Sequence, residues 1–154
     1  MPVISAGILL YRLRKGIVEV FLVHPGGPFW AKRDAGAWSI PKGIIDTDEE
    51  PLAAAGREFE EETGFRVSGN FVQLSSVKLK SGKILLAWAV KGDCDASVIK
   101  SNTFLMEWPP HSGRQQEFPE VDRAAWFGIG EANKKINQGQ APLLEELERI
   151  LSGK

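Results

Sequence analysis

Residues 43–65 read GIIDTDEEPLAAAGREFEEETGF, a breaker-flanked segment with an acidic end. Pro51 is tolerated in a first helical turn, where its missing N–H leaves no bond unmade, and Gly64 is a natural C-terminal stop. The pattern predicts a helix over residues 51–63 with Asp48 as its N-cap. On that helix Glu58, Glu61 and Glu62 share an arc of about 100°. Leu52, Ala55 and Phe59 take the adjoining face and suit packing on a sheet, while Glu60 points away. Three carboxylates on one face repel each other unless a cation sits among them. Hard oxygen ligands of this kind select Mg²⁺, Mn²⁺ or Ca²⁺, and Mg²⁺ completes its shell with water and phosphate oxygens. Taken alone, the three glutamates also fit a merely solvated acidic surface.

Upstream, residues 3–13 and 17–24 read as two strands joined by a turn at Arg14-Lys15-Gly16. A breaker cluster, Pro25-Gly26-Gly27-Pro28, opens a loop to about Gly36, followed by a short extended piece at Trp38-Ser39-Ile40. Downstream, residues 65–90 hold two or three strands with a hairpin turn at Lys80-Ser81-Gly82-Lys83. Residues 103–108 look extended, 109–119 read as loop, and 123–127 as a short strand. Helices are expected over 131–137 and 142–151, the second carrying an apolar stripe at 143, 144, 147, 150 and 151. The expected fold class is α/β: one domain over residues 1–154, an α/β/α sandwich with a central mixed β-sheet.

Composition narrows the function. A chain of 154 residues, 43% hydrophobic and 25% charged, can bury a full core. Its net charge of −1 gives no global basic field, so no nucleic-acid partner is expected. No membrane span or signal peptide is expected, and the single cysteine, Cys94, read as a loop residue, fits a reducing compartment. A cytoplasmic protein, monomer or homodimer, is the expectation. His24, at the end of an apolar strand, reads as a structural histidine.

The spacing in residues 43–65 matches G-x5-E-x7-R-E-U-x-E-E-x-G-U, with U a bulky apolar residue, at Gly43, Glu49, Arg57, Glu58, Phe59, Glu61, Glu62, Gly64 and Phe65. A chance match in this chain is on the order of one in a million from ordinary residue usage, so the acidity alone does not account for it. The segment resembles the Nudix box, with Phe59 larger than the aliphatic residue usual there. The resemblance implies a Mg²⁺-dependent pyrophosphohydrolase, with Mn²⁺ able to substitute, in which water attacks phosphorus. It implies Glu58, Glu61 and Glu62 as metal ligands, the Gly43 carbonyl as a further one, and Arg57 as the residue that orients the glutamates. Glu49 would hold the loop–helix unit or assist the metal, or simply sit in a first turn favoured by the helix dipole. The family often places another glutamate six residues before a strand-opening tryptophan. Here Glu120 stands six before Trp126 and is the candidate extra ligand or base, with Glu117 its competitor.

The entry Pro41-Lys42-Gly43 resembles the branch that hydrolyses dinucleoside polyphosphates such as diadenosine tetraphosphate, and Lys42 would then meet a long phosphate chain. Phe29 and Trp30, beside Lys32 and Arg33, are candidates to stack on a nucleobase, or to cover a sheet edge or a dimer contact. The stretches HPGGPFW and GAWSIPKG extend the resemblance to a bacterial group of predicted nucleoside-triphosphate pyrophosphohydrolases. A nucleotide-pool sanitising triphosphatase, a diphosphoinositol polyphosphate hydrolase using Lys78, Lys80, Lys83 and Arg114, and a non-catalytic nucleotide sensor are the alternatives.

Overall fold

The computed structural model describes residues 3–153. Its central strand is β1 (Ile4–Arg14), which pairs antiparallel with β2 (Ile17–Pro25) and parallel with a strand more than sixty residues away, β6 (Ile84–Lys91). The tight turn between β1 and β2 puts Lys15 and Gly16 at positive φ. Short strands β4 (Val72–Gln73) and β5 (Val77–Lys78) flank β6, and β9 (Val121–Gly128) extends the sheet beyond β2. The sheet runs β4-β6-β1-β2-β9 with one parallel pair, so it is mixed.

Alternation along these strands makes two cores. Ala6, Ile8, Leu10, Phe21, Val23 and Trp88 point to one face and meet Ala54, Ala55 and Phe59 of helix α1 (Pro51–Thr63). Leu9, Val20, Leu22, Leu85 and Ala87 point to the other. They are covered by Ala132 of α2 (Ile129–Lys135) and by Leu143, Leu144 and Leu147 of α3 (Ala141–Leu151). This is the α/β/α sandwich expected, and the helix ends fall within two residues of the sequence reading. Among the described residues no helix is long and apolar enough to cross a membrane.

Two expectations are corrected, and one strand is added. Asp48 does not cap α1. The residue before Pro51 must be extended, so Glu50 (φ −64°, ψ 133°) becomes the boundary and Asp48 turns into the left-handed region at φ 64°. Residues 42–44, to which no element was assigned, form β3 (Lys42–Ile44), paired with Ser5–Gly7 of β1. Residues 115–119, read as loop, form β8 (Gln115–Pro119), which pairs with β7 (Thr103–Glu107) in a two-stranded hairpin apart from the main sheet. Its sequence QQEFP lacks the apolar alternation of a strand because only Phe118 is partly buried.

Candidate functional site

The site is assembled where α1, β3 and the start of β9 meet. Phe59, fully buried 5.7 Å from Phe21, anchors α1 on the sheet and fixes which face stays free. That face carries Glu58, Glu61 and Glu62. β3 crosses beneath it, and Gly43 lies where any Cβ would overlap the Glu58 carboxylate. Any other residue there would push the Glu58 carboxylate, the far end of a flexible side chain, out of its present place.

Arg57 organises the carboxylates. Its Nε donates to Glu49 Oε2 at 2.7 Å and its Nη2 to Glu49 Oε1 at 2.9 Å. Nη1 reaches Glu58 at 3.0 Å and Glu61 at 2.8 Å, and Nη2 also donates to the Ile44 carbonyl at 3.2 Å. Helix, β3 and the intervening loop are thereby tied through one guanidinium. Glu49 also accepts from the Asp46 N–H at 3.0 Å, and its bond to Arg57 holds its carboxyl below the usual range. Glu49 precedes the helix boundary, and α1 has no acidic residue in its first turn. Its place is as counter-charge to Arg57, not as a partner of the helix dipole. Glu60 turns away to Arg66.

The remaining acids crowd together. Burial, then the charge of Glu58, pushes the Glu62 carboxyl up to about 8, although its Oε1 accepts the Lys42 N–H at 3.3 Å. Burial and Glu61 raise Glu58, and burial and Glu61 raise Glu120. Glu120, far away in sequence, therefore belongs to the same electrostatic cluster as the helix glutamates. Glu117, whose residue pairs with Leu105 in the hairpin, does not enter the surroundings of Glu58 or Glu62. Lys42, Ser39, Glu62 and Glu120 line one cavity of about 120 Å³. Burial lowers the Lys42 pKa against the pull of Glu62, with Lys83 as a further cation nearby.

Among the described residues no three His, Cys, Asp or Glu side chains already stand as a ready metal shell. Glu58 and Glu61 are instead in ion pairs with Arg57. The donor set nevertheless fits a hard divalent cation. Burial, then the neighbouring Glu58 carboxylate, raises the Glu62 carboxyl, an arrangement a cation would relieve, and Gly43 leaves the space in which Glu58 and the β3 backbone approach each other.

Phe29 and Trp30 do not line this cavity. Phe29 is exposed and packs edge-on against Trp108 of the hairpin at 5.9 Å, and Trp30 carries the Arg33 guanidinium 5.4 Å above its ring. His24 is fully buried between Asp122 (2.8 Å) and the Arg33 carbonyl (2.6 Å), a structural role. Cys94 is partly buried, its thiol pushed up to about 11 by burial and Asp93. It lines a larger groove of about 760 Å³ with Arg12, whose charge is already met by Glu19 and Asp93.

Sequence reasoning missed the segment that holds Glu120. Asn102 N–H donates to the Glu61 carbonyl at 2.7 Å, Glu120 N–H to the Asn102 carbonyl at 2.8 Å, and Gly26 N–H to the Glu120 carbonyl at 2.9 Å. These are backbone bonds between residues distant in the chain, and no local pattern announces them.

Comparison with known proteins points one way. The family described as NUDIX domain matches residues 1–147. The RNA pyrophosphohydrolase of Vibrio atlanticus is 33% identical over 124 residues, covering 75% of this chain and 70% of that protein. The RNA pyrophosphohydrolase of Stenotrophomonas maltophilia is 44% identical over 55 residues, covering 35% of this chain and 26% of that protein. The match thus spans about a quarter of that relative's length. The Ap4A hydrolase of C. elegans, solved as a binary complex, superposes with a TM-score of 0.69 at 20% identity, covering 97% of this chain and 99% of that one.

Proposed function

Because this chain belongs to the Nudix family, we propose that it is a divalent-metal-dependent pyrophosphohydrolase, and that dinucleoside polyphosphates such as diadenosine tetraphosphate are its substrates. The observation that carries the reading is the convergence of Glu58, Glu61, Glu62 and Glu120 on one small region, with Arg57 holding two of them. Glu58, Glu61, Glu62 and the Gly43 carbonyl would hold Mg²⁺, or Mn²⁺ in its place. When bound, the metal neutralises charge on the phosphate oxygens and lowers the pKa of the attacking water. Arg57 fixes the glutamate rotamers. Glu120, which lines the same cavity as Glu62, serves as a further ligand or takes the proton from water.

Lys42 favours a long phosphate chain. It is a cation beside the carboxylates, with Lys83 as a neighbour, so successive phosphates leaving the metal would meet positive charge. Phe29 and Trp30 would stack on a base only at a distance from the cavity, which suits an extended substrate better than a mononucleotide. The protein would act in the cytoplasm as a monomer or homodimer.

A second reading has its own support. The curated relatives quoted above are RNA pyrophosphohydrolases, and release of pyrophosphate from the end of an RNA would use the same carboxylates. The deciding experiment is incubation with Mg²⁺ and a panel of diadenosine tetraphosphate, triphosphate-ended RNA, nucleoside triphosphates, ADP-ribose and a diphosphoinositol, with products separated by anion exchange. Fastest turnover of diadenosine tetraphosphate, to ATP and AMP, supports the first reading. Fastest turnover of the RNA overturns it in favour of the second.

A further inference from the structure

Glu120 occupies an exposed position between β8 and β9, yet its backbone is bonded on both sides. One side chain closes that arrangement. Ser101 Oγ accepts the N–H of Val121 at 3.0 Å and donates to the Asn102 carbonyl at 2.7 Å, the same carbonyl that accepts the Glu120 N–H. Asn102 N–H and Lys100 N–H in turn cap the Glu61 and Thr63 carbonyls, which the end of α1 leaves without helical partners. Gly64 permits this docking, because its ideal Cβ position lies 3.2 Å from the Lys100 carbonyl oxygen.

We infer that Ser101 is a positioning residue for the reaction, acting through Glu120. Its hydroxyl locks the peptide that follows Glu120 to the strip of chain that reads the end of the glutamate helix. The distance from Glu120 to Glu58, Glu61 and Glu62 is thereby set by a relay of short bonds rather than by a free loop. Val121 is nearly fully buried and its bond to Ser101 is partly buried, so the N–H that Ser101 satisfies has little water to turn to. Losing the hydroxyl leaves that donor unpaired and lets the Glu120 turn shift. A shift of about 1 Å in a reacting group can cost on the order of 100-fold in rate. The inference rests on the role proposed for Glu120.

The test is a double-substitution cycle with Ser101→Ala and Glu120→Gln, assayed with Mg²⁺ and diadenosine tetraphosphate. Amide hydrogen exchange of the metal-free proteins is read alongside. Ser101→Ala is expected to lower kcat roughly 10-fold or more with KM changed less than about 2-fold. It should speed exchange at Glu120 and Val121 while leaving α1 protected. In the Glu120→Gln background the same substitution should cost less than about 2-fold. Ser101→Thr, which keeps the donor and acceptor, should restore the wild-type values. Ser101→Cys, with weaker bonds at similar volume, should fall between and serves if the alanine variant is too unstable to assay. Wild-type kcat in Ser101→Ala and Ser101→Cys, while Glu120→Gln is impaired, overturns the inference. Equal losses from Ser101→Ala with and without Glu120→Gln also overturn it. If Glu120→Gln is itself fully active, the proposed role of Glu120 fails, and the inference about Ser101 fails with it.

Discussion

Arg57 grips Glu49 with two parallel bonds, Nε to Oε2 at 2.7 Å and Nη2 to Oε1 at 2.9 Å, and has one nitrogen left for Glu58 and Glu61. Fork geometry of this kind belongs to a guanidinium and is not available to an ammonium. Arg57→Lys should therefore keep the fold and lower kcat/KM by roughly 10- to 100-fold, the usual cost of losing a residue that orients metal ligands. Steady-state kinetics with circular dichroism checks this. A fully active lysine variant would show that charge alone suffices.

Glu62 makes the stability of the metal-free protein depend on pH. Its folded-state pKa is raised from 4.5 to about 8, so between those values the folded protein binds more protons than the unfolded chain. Stability of the metal-free protein should fall as pH rises through that window. The penalty is absent below about 4.5 and fully present above about 8. Melting in EDTA across this range should show the decline, and Glu62→Gln should flatten it. Added Mn²⁺ should stabilise the wild type most at the alkaline end. A profile unchanged by Glu62→Gln would remove Glu62 as its source.

Phe59 tests how the helix is seated. It is fully buried against Phe21, and truncation to alanine should cost about 3–5 kcal/mol in chemical denaturation. Phe59→Leu should lose far less, because it fills most of the volume. Equal stability of the alanine variant would mean that α1 is held from elsewhere.

Lys42→Ala should raise KM for diadenosine tetraphosphate about tenfold, the scale of one charge-assisted contact, with kcat held within about threefold. The smallest substrates, which do not reach it, should be least affected. A loss in kcat alone would assign the Lys42 ammonium to the chemistry or to the electrostatic support of Glu62, since the backbone N–H that meets Glu62 Oε1 survives the substitution.

The helix and its acidic face were legible because both are encoded locally, within residues 51–64. Phe59 buries itself, and the 3.6-residue period then obliges Glu58, Glu61 and Glu62 to face the same way. Gly43 and Arg57 were legible through the spacing of a known motif. What escaped was the part built from non-local backbone. β8 has no apolar alternation, since its hairpin stands off the main sheet. Ser101 is an unremarkable serine until folding brings it beside Val121, twenty residues on. Asp48 was misplaced because the constraint that Pro51 imposes on Glu50 outweighed the capping preference of an aspartate.

The convergent glutamates are proposed to make this chain a metal-dependent pyrophosphohydrolase. The most direct measurement is the rate of diadenosine tetraphosphate hydrolysis with Mg²⁺, with EDTA, and in Glu61→Gln with Mg²⁺. Turnover is expected in the first case and its loss in the other two, with the variant still folded. Turnover that persists in EDTA, or in Glu61→Gln at the wild-type rate, would contradict it.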